Sequence, residues 1–147
     1  MNPTKLLEII FDENDSCVEG GPTVRESASI TKSFPNQSII PFIQKLAYNA
    51  FNGAKVASFL VQMAKQGKIM SFRFGREYSP VLYLTVSPYA KGLCDPPDKN
   101  ILEIRIQKII GALKKLKADE VEREGAVEYH DDTGLVQEGG IVRAWWD

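Results

Sequence analysis

His130 stands beside Asp131 and Asp132 and is the only histidine among 147 residues. A catalytic zinc takes about three converging protein ligands, commonly two or more from His or Cys, and a single imidazole makes that set hard to assemble. The run Asp131-Asp132-Thr133-Gly134 has the composition of a tight turn, where Asp and Gly support chain reversal without any ligand. No metal or other cofactor is expected. The two cysteines, Cys17 and Cys94, read as thiols. Cys94 precedes Asp95, whose charge opposes thiolate formation, and Cys–His catalysis would require Cys94 to come within reach of His130. Glu120, Glu122 and Glu124 could supply paired carboxylates for proton transfer. Their period of two just after a helix reads first as a solvated strand edge or loop. Gly20-Gly21, Gly125 and Gly139-Gly140 lack the spacing, the Lys-Ser/Thr end and the strand-to-helix setting of a phosphate-binding loop. An enzyme is not expected; a small hydrolase or metal enzyme around His130 is the last of the alternatives.

Binding is better supplied with candidates. The segment KIMSFRFGREY, residues 68–78, mixes cations with rings, the chemistry that stacks bases and neutralises phosphates on open sheets. Phe72 and Phe74 alternate with Arg73, however, so the pleat that exposes the arginine buries both rings and leaves Tyr83 as the platform. Lys108, Lys114 and Lys115 fall on the side of a helix opposite its apolar stripe, where they could neutralise phosphates or simply be solvated. Trp145 and Trp146 are adjacent, and adjacent strand residues point to opposite faces. One indole therefore enters the core, and the other lies on the outer face against a partner, a ligand or a neighbouring loop. Trp145, Trp146, Arg73 and Tyr83 are the candidate binding residues. Tyr78, Tyr89 and Tyr129 are expected at the boundary with wet hydroxyls.

The elements that would position these residues follow from periodicity. Residues 4–11 are compact and apolar, a first strand; Asp12 to Pro22 is turn chemistry; Thr23 to Thr31 is a polar edge strand or a crossing. Ser38 as N-cap, with Pro41 in the first turn, predicts a helix over 39–51 whose stripe is Ile39, Ile43, Leu46, Ala47 and Ala50. From 54 to 66 the stripe Val56, Phe59, Leu60 and Met63 lies on the opposite side of a continued helix, so a break is expected at Asn52-Gly53, with Gly53 in the left-handed terminal position. Gly67 caps the second helix. Residues 68–74 and 81–87 alternate as a hairpin around Gly75 to Pro80. Asn100 with Glu103 resembles a capping box, opening a helix with the stripe Leu102, Ile106, Ile109, Ile110, Leu113 and Leu116. Ile101 and Ile104 fall off that stripe, which suits an extended first turn. Ala126 to His130 and Ile141 to Trp146 read as strands.

This order is that of an α+β domain, an antiparallel sheet with helices on one face, ferredoxin-like βαββαβ with an added C-terminal strand. The composition, 44% hydrophobic and 25% charged with net charge −1, suits one globular domain. The charges are not evenly spread: residues 1–26 carry −4, residues 27–117 carry +10 and residues 118–147 carry −7. The longest apolar runs fall far short of about 18 residues and no apolar leader opens the chain, so membrane spanning and export are not expected and a cytoplasmic location is. On the open sheet face Leu6, Ile10, Ile69 and Val81 would join one tryptophan in an apolar patch. The functional expectation is a non-catalytic cytosolic binding or regulatory module that self-associates as a homodimer through that face, with a further protein partner allowed. A nucleic-acid-binding domain using the basic central region is the alternative. It is not favoured, because acidic segments belong to the same small domain.

Overall fold

Ile39, Phe42 and Ile43 recur at helical spacing and are all buried, and they seat the first helix, α1 (Asn36–Gln44), on the core. In this computed structural model, which describes residues 17–20, 32–33, 36–90, 97–130 and 136–147, α1 starts earlier and ends sooner than the pattern predicts. Pro41 thus lies inside the helix and not in its first turn, and its missing N–H interrupts the bond ladder there. The Lys45 and Leu46 amides close back on the Phe42 and Ile43 carbonyls at 3.2 and 3.0 Å. Asn49 then adopts a left-handed φ of 49°. That turn joins two short strands, Ala47–Tyr48 and Phe51–Asn52. The reason for the early stop is Phe51. It is buried, stacked on Phe74 at 5.7 Å and edge-on to Trp146 at 5.0 Å, a site no continued helix could reach.

Gly53 ends no helix. It is the first residue of α2 (Gly53–Lys65), and Asn52 is the N-cap, accepting from the Lys55 amide at 3.2 Å. The glycine is required by close approach: a Cβ there would lie 1.9 Å from the Ile43 carbonyl oxygen. Val56, Ala57 and Leu60 are the buried stripe of α2, and Gly67, at φ 66°, follows its end as expected.

Taking strands in chain order, β1 is Cys17–Gly20, β2 Lys32–Ser33, β3 and β4 the short pair above, β5 Ile69–Glu77, β6 Ser79–Val86, β7 Glu120–His130 and β8 Val136–Trp145. The six-stranded sheet runs β2-β1-β5-β6-β8-β7, antiparallel throughout except for the parallel pair β1 and β2. Tyr78, at φ 65°, turns β5 into β6, so most of the loop expected from Gly75 to Pro80 is strand. Phe72 faces Leu84, Phe74 faces Leu82, and across β6 these face Val142 and Ala144. All are buried in one cluster with α1, α2 and the third helix, α3 (Lys99–Lys115). The chain is therefore an α+β fold with helices packed on a predominantly antiparallel sheet.

Several local expectations change. Asp98, not Asn100, caps α3, accepting from the Asn100 and Ile101 amides. Its first turn is helical, leaving Ile104 56% exposed. Ile69 was expected on the outer face. A register irregularity between Ile69 and Ser71 inserts one residue and turns Ile69 inward beside Phe72, where it is buried. Val81 does share the outer face, opposite Trp145, yet is 0% exposed. Tyr89 is buried, not a boundary residue, while Tyr78 is exposed. The last hairpin is longer than predicted, taking Glu120, Glu122 and Glu124 into β7, the outermost strand. Leu6, Ile10, the expected strand at 4–11, the segment 23–31, Cys94 and the turn at 131–134 lie outside the described residues, as do the side chains of Tyr129 and His130. No described helix is long and apolar enough to cross a membrane.

Candidate functional site

The strand alternation that sends Phe72, Leu82 and Val142 into the core puts Arg73, Tyr83 and Arg143 side by side on the other face. Arg73 lies over the Tyr83 ring at 4.6 Å. The Tyr83 hydroxyl donates to Glu77 Oε1 at 2.5 Å, and Arg143 Nε donates to the same oxygen at 3.1 Å. Arg143 Nη1 reaches Glu120 Oε2 at 3.1 Å and Glu122 Oε1 at 3.6 Å. Trp145 closes the cluster by donating its indole N–H to the Glu77 carbonyl oxygen at 2.9 Å. Burial, and then the bond to Glu77, pushes the Tyr83 hydroxyl up to about 12. Burial opposes the Arg143 charge, but its bonds to Tyr83, Glu120 and Glu77 outweigh that and hold it above the usual arginine value. The tyrosine thus keeps its proton, and Tyr83 and Arg143 both donate to Glu77 Oε1. This is a locked network, not a poised acid–base pair.

The helix layer has the opposite character. Residues 36–68 and 97–117 contain ten Lys and Arg against two acids, Asp98 and Glu103. Asp98 caps α3, and Glu103 is bonded to Arg123. Residues 118–130 and 136–147 contain two arginines against seven acids. Folding therefore concentrates cations on the helices and carboxylates on β7 and the strand ends, while Arg73, Arg76, Arg123 and Arg143 lie on the sheet.

Two concavities mark the helix layer. A cleft of about 490 Å³ opens where the end of α1, the start of α2 and the end of α3 meet, and Lys45, Lys55, Lys115 and Lys117 line it. A groove of about 400 Å³ runs between α2 and α3, floored by Phe59, Met63 and Ile109 and edged by Lys68, Arg105 and Lys108. Arg105 is held in place by the Ser87 and Tyr89 carbonyls at 2.8 and 2.6 Å, and burial lowers its pKa from the ordinary value. Among the described residues no three His, Cys, Asp or Glu side chains gather as a metal site.

No family model, curated protein or solved structure matches this chain. The site must be read from its own geometry. Arg73, Tyr83 and Trp145 come together as one cluster, whereas Trp146 is fully buried, its indole N–H on the Leu116 carbonyl at 3.0 Å. Lys108 and Lys115 are divided between groove and cleft. Lys45, Lys55 and Lys117 were not singled out by sequence, since they are far apart in the chain and have no common spacing. Their only trace was the +10 charge of residues 27–117.

Proposed function

We propose that this chain is a non-catalytic binding module whose helix layer receives the phosphate backbone of a nucleic acid. The observation that supports it is the charge separation between layers. Ten cations against two acids lie on the helix segments, and the carboxylates Glu120 and Glu122 are drawn to Arg143 on the sheet face away from the helices. The objection that acidic residues cancel the basic field weakens where, as with Glu120 and Glu122, they face away from the helices. The sheet face itself suits nucleic acid poorly. The Tyr83 ring is already covered by Arg73, and its hydroxyl is bonded to the Glu77 carboxylate, which would repel a phosphate.

Fluorescence anisotropy with labelled single-stranded RNA and DNA tests the reading. Binding is expected at low salt, falling linearly in log affinity against log salt. Absence of binding to both at low salt would overturn it.

Self-association through the sheet face is a second reading, favoured by Trp145, which is half-buried there opposite Val81. Ile69 no longer contributes to its patch. A homodimer built on this face would fall apart in Trp145→Ala, and sedimentation of a strictly monomeric wild type at high concentration would remove it. Under either reading we take the chain to be cytoplasmic, where Cys17 and Cys94 would stay reduced. A ferredoxin-like order would also need residues 4–11 as its first strand, and β6 already has β5 and β8 as neighbours.

A further inference from the structure

We propose that the cleft between the end of α1, the start of α2 and the end of α3 is a binding site for a compact phosphate dianion, a phosphomonoester or pyrophosphate group. It deepens the nucleic-acid reading by naming where a doubly charged phosphate would be held, and rests on that reading only for the source of the phosphate.

Four lysines, Lys45, Lys55, Lys115 and Lys117, line one concavity of about 490 Å³, and among the described residues no Asp or Glu lines it. None of the four is ion-paired with another described residue. A cleft lined by one sign of charge concentrates its field and the counter-ions it attracts. Three of the four have a local explanation: Lys45 follows α1, Lys115 ends α3 and Lys117 lies just past its C-cap, where a helix dipole favours cations. Lys55 has none. It sits in the first turn of α2, where the dipole opposes a cation, and that turn contains no acidic residue to offset it. An anion in the cleft would relieve both this placement and the mutual repulsion of the four.

Two of the amides at the start of α2 are committed elsewhere. The Gly53 amide donates to the Leu46 carbonyl at 2.9 Å and the Lys55 amide to Asn52 Oδ1 at 3.2 Å. The lysines bring compact, rotatable donors that respond to charge density more than to planar shape. Asp119 and Asp147 approach through Asn49, whose Nδ2 donates to the Asp147 main-chain oxygen at 3.1 Å, but neither residue lines the cleft. A ligand with two charges on one small group matches the four cations better than a single diester does.

Isothermal titration with inorganic pyrophosphate at low salt tests the site on the full chain. Wild type should bind, Lys55→Gln and the double variant Lys45→Gln/Lys117→Gln should each weaken binding about tenfold or more, and Lys65→Gln, at the far end of α2, should change it less than about twofold. No binding by wild type, or equal losses from Lys55→Gln and Lys65→Gln, would overturn the proposal. All these lysines are on the surface, and matching thermal melts confirm that the variants fold. Pyrophosphate binding without oligonucleotide binding would leave the cleft standing and remove the nucleic-acid reading; oligonucleotide binding alone would do the reverse. Given pyrophosphate binding, a 5′-phosphorylated and a 5′-hydroxyl oligonucleotide distinguish the source. Preference for the phosphorylated end assigns the dianion to a strand terminus, and equal affinity assigns it to a free ligand; both support the cleft.

Discussion

Trp145 and Trp146, adjacent in sequence, anchor opposite faces of one sheet: Trp146 bonds the Leu116 carbonyl at the end of α3, and Trp145 bonds the Glu77 carbonyl at the end of β5. One sits in the core against Phe51, the other in the polar network around Arg143.

Truncating them should therefore have unequal effects. Trp146→Ala empties a fully buried site and should cost about 3 to 5 kcal/mol. Trp145→Ala should cost clearly less. Urea unfolding of both variants checks this, and equal losses would contradict the burial difference.

Two glycines should respond in opposite directions to alanine. Gly53→Ala forces a Cβ onto the Ile43 and Leu46 carbonyls and should destabilise by about 1 to 3 kcal/mol, as overpacking does. Gly111→Ala, inside α3 with open space around its Cβ, should stabilise by about 0.5 to 1 kcal/mol. Paired thermal melts decide both.

Tyr83 makes stability sensitive to alkali. Its folded pKa is raised to about 12 from 10.0, so the folded chain keeps a proton that the unfolded chain loses. The associated stability is complete below the unfolded value and is lost as pH rises through the folded one. Urea midpoints should fall between those limits, and Tyr83→Phe should flatten that part of the profile. An unchanged slope in the variant would count against the buried hydroxyl.

For nucleic acid, each phosphate contact made by Lys108, Lys114 or Lys115 should add about 0.7 to 0.9 to the salt slope of log affinity. Single Gln substitutions should lower the slope by that amount, as read from anisotropy across a salt series. Variants that change affinity without changing the slope would show that these lysines do not meet phosphates.

Periodicity determined much of the fold by itself. The stripe from Leu102 to Leu113 is the buried face of α3, the alternation of Phe72 and Phe74 with Arg73 set which side of β5 is core, and the Trp pair had to divide between faces. These are local consequences of a 3.6- or 2-residue repeat. Tertiary structure decided the rest because the competing contacts are remote in sequence. Residues 45–51 keep a helical apolar pattern, yet the chain turns so that Phe51 can fill the space between Phe74 and Trp146. A one-residue bulge reversed Ile69, and packing against Ile43 gave Gly53 a role that its left-handed tendency did not predict. The site was the least legible part. Lys45, Lys55 and Lys117 share one cleft only because three helix ends meet there, and a charge total cannot record which cations folding brings together.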